Sequence, residues 1–290
     1  MDESTIDAPV TSKVEWSWDV LIPYVLFHLG CFGVVVTGFS RTGIELFCVC
    51  FLVRMFGLSV GYHRYFAHRS FKTSRTMQFV LALLGSLSFE RGPLWWAETH
   101  RHHHRHADTP DDLHSPRYHG FLYSHSGWFA DRRNHETRIS KVQDLAVYPE
   151  LRWLDRWYGV PVALYATLLW VFYGTTGVVY GVFLNSVVVW HLTHWIQSFS
   201  HKLGGYRRWE SADQSRNHFL IGLITLGEWH NNHHHFPSSA RQGYAWWELD
   251  LGYLALRLMN KAGLVWDVRT PKQVAPTLEP GRRPEPAHLG

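Results

Sequence analysis

The sequence predicts an all-α membrane protein, with four transmembrane helices in two hairpins and a helical cap on the cytosolic side. Three observations carry this expectation: uncharged runs long enough to cross a bilayer, basic residues gathered on one side of those runs, and histidines clustered at their ends. The 290 residues suffice for one large domain. Histidine is over-represented, with 21 against 24 acidic and 28 basic side chains, and the 15 tryptophans suit a chain that meets a membrane interface.

Residues 1–13 lack periodicity and are expected to be disordered, ahead of a single membrane domain over 14–270. No secretory leader is expected at the start. Leu21 to Phe39 is free of Asp, Glu, Lys and Arg over 19 residues, enough for a hydrocarbon core of about 30 Å at about 1.5 Å per residue. Glu45 to Gly61 is a second apolar run, interrupted by Arg54, which is costly in mid-span unless it snorkels or pairs. Met77 to Phe89 is apolar but only 13 residues long, which fits an interfacial or protein-buried helix. Trp157 to His201 holds no Asp, Glu, Lys or Arg and is about twice the length of one span, with a turn available at Gly174-Thr175-Thr176-Gly177. The spans are therefore placed at about 19–39, 44–62, 157–174 and 177–198, and Pro271 to Gly290, with five prolines in twenty residues, reads as a disordered tail. The turns after the first and third spans hold one arginine and none. Arg64, Arg69, Lys72 and Arg75 follow the second span, and the stretch from Arg91 to Arg156 is rich in arginine. Positive-inside logic then sets the cap and both termini in the cytoplasm. Cys31, Cys48 and Cys50 lie in apolar runs without a CxxC pair and read as packing residues.

The stretch GEWHNNHHHFP, Gly227 to Pro237, contributes His230, His233 and His234. GYHRYFAHRS contributes His63 and His68, THRHHH contributes His100, His103 and His104, and QSFSH ends on His201. Every one of these groups lies at or beyond a helix end on the predicted cytosolic side. In HxxHH the positions i, i+3 and i+4 share one helix face, so three imidazoles converge on one region. His63 and His68 are five apart, roughly 140° around an ideal helix, and both point inward only if the helix ends or bends between them. Nine nitrogen ligands exceed the four that one tetrahedral zinc takes and suit two metal ions with positions left open. Imidazole serves zinc, copper, nickel and iron alike. His28, His102, His106, His235 and His288 read as surface or packing residues. Separation of the clusters by membrane spans excludes an affinity tag.

These residues resemble the membrane-bound fatty acyl desaturases of the delta-9 type, the group of the animal stearoyl-CoA enzymes and the bacterial and plant acyl-lipid or acyl-CoA enzymes. The family boxes HxxxxH, HxxHH and HxxHH are met by HRYFAH, HRHHH and HNNHH. The likeness continues through HSPRYHGFLYSHSGWF and SSARQGYAWWELD and covers about Leu21 to Pro271. The resemblance implies a mushroom-shaped four-helix domain whose cytosolic cap holds two Fe2+ ions. The implied ligands are His63, His68, His100, His103, His104, His201, His230, His233 and His234. Gln197 stands where the family has an asparagine that reaches a metal through water. GEWH lacks a glycine of the usual motif, and His194 replaces a tryptophan near the substrate. The matching carrier and substrate positions are Arg91, Trp96, Arg132 and Arg133, whereas Glu98 stands in place of a carrier-contacting arginine. An imidazole site of this kind can pick up zinc during overexpression.

An unactivated methylene has no acid–base handle, so its C–H bonds need an oxidant made from O2 at a metal. The expected reaction is O2-dependent formation of a cis double bond in a fatty acyl chain carried by CoA, lipid or acyl-carrier protein. Glu98, Asp108, Asp112, Glu210, Asp213 and Glu228 are the available acceptors for the second ring nitrogens of the ligands. Helical turns back from His63 put Ser59, Met55 and Phe51 on its face, where Met55 and Phe51 either floor an acyl tunnel or serve helix packing. Without a cysteine cluster, a GxGxxG or a haem segment, electrons are expected from an external donor such as ferredoxin or cytochrome b5. Membrane lipids are further expected partners, and no nucleic acid is. Hydroxylation or acetylenic-bond formation on the same scaffold is the near rival. A non-catalytic metal carrier or sensor is the distant one, disfavoured because the spans stay apolar apart from Arg54, Asn185 and His191.

Overall fold

The computed structural model describes residues 13–271. The disorder expected for 1–13 and 271–290 therefore falls, but for residues 13 and 271, outside the described residues, as does His288. Among the described residues, three helical stretches are long and apolar enough to cross a membrane: α1 (Trp18–Thr37), α2 (Arg41–Ala67) and, further on, a 40-residue run Gly159–Ser198. Between α2 and that run lie three helices of eight residues or more, α3 (Arg75–Ser86), α4 (Pro93–His106) and α5 (Pro149–Arg156), with two four-residue turns of helix at Pro116–His119 and Gln143–Ala146, and the long run is α6. Beyond it lie α7 (Phe219–Ile224), α8 (His230–His235) and α9 (Leu251–Lys261). One two-residue antiparallel pair, Lys72↔Trp266 and Thr73↔Val265, departs from a purely helical reading.

The first run exposes its side chains broadly: Phe32, Val35, Val36 and Phe39 are 71%, 84%, 84% and 88% exposed. Apolar surface of that extent suits lipid rather than water. Gly38, at φ +66°, ends α1, and the Ser40 hydroxyl caps α2 by accepting the Gly43 N–H at 3.0 Å. The run α6 is continuous in sequence but breaks at Gly174, whose φ of +57° and ψ of −145° are open to glycine at no steric cost. A Cβ on Gly177 would lie 2.3 Å from the Leu169 carbonyl oxygen, whereas eight residues of unbroken helix separate two positions by about 12 Å. The chain thus folds back here, and the Tyr165 hydroxyl ties the arms by donating to the Gly181 carbonyl at 3.0 Å. The Tyr180 hydroxyl donates to the Gly38 carbonyl at 2.8 Å, which sets the α1–α2 turn beside the start of the second arm.

Arg54 does not snorkel, and among the described residues it meets no carboxylate. It is fully buried, donates from Nη1 to the Ser186 hydroxyl at 2.6 Å and lies 4.8 Å over the Tyr165 ring. The short apolar helix α3 is held by the protein on one face: Gln78, Leu81, Ala82, Gly85 and Ser86 are buried. Glycine permits this approach, since a Cβ on Gly57 would meet the Leu84 carbonyl carbon at 2.4 Å.

The last eleven residues of α2, Gly57–Ala67, form a π-type turn in which the His68 N–H donates to the His63 carbonyl at 3.1 Å. This i→i+5 ladder turns less per residue than an α-helix, so a five-residue step falls nearer to one full turn. The helix also ends at Ala67, just before His68, so the two rings reach one region as the spacing requires of a helix that ends between them, with centroids 4.9 Å apart.

Candidate metal centre

Four elements deliver the imidazoles to one place. The wide end of α2 supplies His63 and His68, and α4 supplies His100, His103 and His104. His201 follows three residues after the end of α6, and α8 supplies His230, His233 and His234. Their ligand atoms fall into two groups, each with all atoms within 4.8 Å of one another: His63, His68, His100, His104 and His233, then His103, His201, His230 and His234. All nine residues singled out from sequence are brought together. Each HxxHH box divides between the groups. In α4 the i, i+4 pair joins the first group and His103 crosses to the second, while in α8 His230 and His234 join the second and His233 crosses to the first.

The hydrogen-bond chemistry of these rings fits a cation. A neutral imidazole has one donor and one acceptor nitrogen. The Nδ1 atoms of His63, His103, His201 and His234 lie 2.6, 3.1, 2.7 and 2.9 Å from the carboxylates of Glu228, Asp112, Asp108 and Asp213. Each must donate there, which leaves Nε2 as a bare lone pair facing inward. Those lone pairs then face other imidazoles: His63 Nε2 is 2.9 Å from His233 Nε2, and His201 Nε2 is 2.7 Å from His230 Nε2. His103 Nε2 and His234 Nε2 are buried without any partner among the described residues. Convergent, unprotonated nitrogens with carboxylates behind them are the donor set of a metal site.

Electrostatics favours the neutral ring at most of these histidines; at His103 burial works downward, but the Asp112 carboxylate outweighs it and raises the ring above the ordinary histidine range. Burial, then neighbouring imidazoles, pushes His68, His100, His104, His230 and His233 well below the ordinary histidine range, so they stay neutral. Burial alone would raise Glu228, but His63 and Arg64 outweigh it and bring the carboxyl down to about 2. His234 and His103 likewise overcome burial to keep Asp213 and Asp112 far below the usual carboxylate range.

Four of the six acidic residues expected behind the ligands are there. Glu98 instead pairs with Arg138 at 2.7 Å, and Glu210 is exposed. Sequence reasoning gave Arg64 and Gln242 no part in the site, and it put Ser59 on the His63 face without finding its partner, the Glu228 carboxylate. Arg64 donates to Glu228 at 2.6 Å and to Asp250 at 3.1 Å. With its amide turned so that the nitrogen donates to Gly227 O and Glu228 Oε2, both at 3.1 Å, Gln242 presents its oxygen to His233 Nδ1. Their only signal was nearness to the histidine boxes in sequence. Removing one such acceptor is testable: Asp213→Asn is expected to weaken metal affinity about 10- to 100-fold in a metal titration of the purified protein. Unchanged affinity would show that the Asp213–His234 contact does not orient a ligand.

Below the two groups lies a cavity of about 560 Å³ lined by Met55, Leu58, Trp96, Ile196 and Gln197 together with His63. A second, of about 690 Å³, is lined by Arg91, Trp96, Tyr158, Trp190, His194 and Gln197. Trp96 and Gln197 border both. Gln197 Oε1 is buried without a partner among the described residues. Phe51 is not among the residues lining the inner cavity and stacks on Phe47 at 6.1 Å. Arg91 lies 5.1 Å over the Trp95 ring, and His194 stacks on Phe129 at 5.0 Å. Arg132 is exposed, and Arg133 pairs with Asp131 at 2.5 Å beside a separate cavity. Of the surface and packing histidines, His28 contacts His191 at 3.0 Å, His102 lies 4.5 Å from His106 ring to ring, and His235 stacks on Trp209 at 4.7 Å.

Membrane-length helices, imidazoles in two groups and an apolar cavity beneath them define a membrane protein with a histidine-rich candidate metal centre. Comparison with known proteins makes the class specific. The family model for fatty acid desaturase matches residues 42–269. The sn-2 palmitoyl-lipid 9-desaturase of Nostoc sp. (strain 36) is 35% identical over 254 residues, covering 85% of this chain and 88% of its own. The acyl-CoA C20 Delta5-desaturase of Anemone leveillei is 33% identical over 277 residues, 91% and 88% of the two chains. The hex-5-enoyl-[acyl-carrier protein] acetylenase of Moorena producens (strain JHB) is 36% identical over 256 residues, 80% and 78%. The chain belongs to the fatty acid desaturase family, and it is a fatty acyl desaturase.

Proposed function

We propose that the protein inserts a cis double bond into a fatty acyl chain at a di-iron centre held by His63, His68, His100, His104 and His233 on one side and His103, His201, His230 and His234 on the other, with Gln197 reaching in through water. The observation that carries this reading is the position of both imidazole groups directly against the inner cavity. Two bound irons supply the O2-derived oxidant that an unactivated C–H bond requires. The balance is two adjacent methylenes, one O2, two electrons and two protons in, and one –CH=CH– unit and two waters out. The residues of the chain bind and align: Met55, Leu58 and Ile196 exclude water from the inner cavity, and the carboxylates orient the imidazoles. Arg91 and His194 line the outer cavity, through which the acyl group enters. Arg132 and Arg133 offer cations to a phosphate-bearing carrier.

The same reading makes α6 two spans, hence four in two hairpins, with the histidine end and both termini in the cytoplasm beside Arg64, Arg69, Lys72 and Arg75. Two electrons per turnover come from an external carrier such as ferredoxin or cytochrome b5. The names of the relatives span lipid, CoA and carrier-protein acyl donors. Carrier choice is therefore assigned to the mouth of the outer cavity rather than to the metal site. An acetylenase among relatives of similar identity favours a second reading, formation of a triple bond on the same ligands.

Expression in a host with a compatible reductase, followed by mass-spectrometric fatty acid profiling, tests both. New monoenes support desaturation and new ynes the second reading, whereas unchanged lipids despite iron loading and a working donor would end the proposal. Met55→Trp is expected to shorten the preferred chain, since each methylene that no longer fits costs about 10- to 200-fold in discrimination. An unaltered chain-length profile would remove Met55 from the tunnel floor.

A further inference from the structure

Trp96 links the candidate metal site to a half-buried carboxylate by two direct contacts. Its indole stacks on His100 with centroids 4.9 Å apart and planes 19° from parallel. Its Nε1–H donates to Glu90 Oε2 at 3.2 Å, and Glu90 Oε1 accepts from the Thr193 hydroxyl at 2.7 Å. Tyr62 continues the aromatic chain, 5.7 Å from Trp96, and its hydroxyl donates to the Arg91 carbonyl at 3.1 Å. Glu90 belongs to no ion pair among the described residues, and burial raises its carboxyl to about 7, the hydrogen bonds from Thr193 and Trp96 opposing that rise. At neutral pH it is balanced between accepting and releasing a proton.

We infer that Trp96 is a redox outlet: when O2 is activated and no acyl chain lies in the inner cavity, Trp96 gives up one electron through His100 while its indole proton passes to Glu90. The inference rests on the di-iron reading of the site. The step balances. The oxidised centre gains one electron, Trp96 becomes a neutral indolyl radical, and the Glu90 carboxylate becomes a carboxylic acid. A second electron from the external donor, with the proton returned by Glu90, restores the indole. The geometry matches each part, since the stacked ligand ring carries the electron and the hydrogen bond carries the proton. With substrate present, the acyl methylenes lie in the same cavity and are oxidised in place of the indole. Without such an outlet the oxidant would attack the ligand imidazoles or Met55, whose thioether also lines the inner cavity and oxidises readily.

The test uses the full chain, iron-loaded and reduced, exposed to O2 without acyl substrate and then frozen. Electron paramagnetic resonance on protein labelled with ring-deuterated tryptophan is expected to show a tryptophan radical, and peptide mass spectrometry to find added oxygen on Trp96. Saturating acyl substrate should suppress both. Trp96→Phe should abolish the radical at unchanged iron content. Glu90→Gln, which removes the positioned proton acceptor, should lower its yield by about a hundredfold, the scale of a well-placed proton transfer. A radical that survives Trp96→Phe, or oxygen confined to Met55 and the histidines, overturns the inference. Iron-loaded protein that consumes O2 with no tryptophan signal overturns it alone, whereas protein that takes up no iron overturns the di-iron reading with it.

Discussion

Replacing His233 with alanine is expected to abolish desaturation and to empty one of the two metal positions. His233 Nε2 lies 2.9 Å from His63 Nε2, 3.0 Å from His68 Nε2 and 3.1 Å from His104 Nε2, which puts it at the middle of the five-membered group. Loss of an outer partner of a ligand costs about 10- to 100-fold, so loss of a central ligand should exceed that and bring product below detection. Burial keeps His68, His100 and His104 neutral, and without the ion the crowded lone pairs of the group face one another. Metal content should fall by about half, because the second group draws only on His103, His201, His230 and His234. Metal analysis of purified protein and product analysis by mass spectrometry check the two halves of this expectation. Full iron content in His233→Ala would show that the two groups are not separate sites.

Arg64→Ala is expected to destabilise the fold by about 3–5 kcal/mol, the cost of leaving buried charge without its partner. The guanidinium is fully buried and donates to Glu228 at 2.6 Å, to Asp250 at 3.1 Å, and to the carbonyls of Ala240 and Gly227 at 2.9 and 3.2 Å. It thereby joins α2 to the segment before α8 and to the start of α9. Arg64→Lys keeps the charge but loses the planar fork, so it should recover only part of the loss. Thermal melting of detergent-solubilised protein measures both. Glu228 also sets the pH window. Its folded-state value of about 2 lies below the ordinary 4.5, so the stability it contributes is complete above that ordinary value and is lost as pH falls through about 2. The melting difference between wild type and Arg64→Ala should therefore be the same at pH 7 and pH 6. Wild-type melting of Arg64→Ala would refute the pairing argument.

Much of this molecule can be read along the chain. Uncharged length marked the apolar helices, because a bilayer core demands it whatever the neighbours are. Glycine at Gly174 marked the fold-back, because few other residues adopt that backbone. The nine histidines stood out because imidazole seldom gathers so densely, and HxxHH spacing is a property of a single helix. Asp108, Asp112, Asp213 and Glu228 were visible as acidic residues near the boxes, yet nothing in their spacing separated them from Glu98 and Glu210.

What a single helix cannot carry was decided by packing. The division of each HxxHH box between the two groups depends on where α4 and α8 face each other, and no periodicity contains that. The approach of His63 and His68 came from a helix that ends between them and from a hydrogen-bond ladder one residue wider than the α-helical one, a local choice made against α3 at Gly57 and Gly61. The assignment of partners to Arg64, Gln242 and Glu90 is likewise tertiary, since their contacts lie far away in sequence or across loops. Local residue type dictates which groups carry chemistry and which segments resist water. The distance between such groups is set only when the segments meet, because it depends on the relative position of several backbones at once.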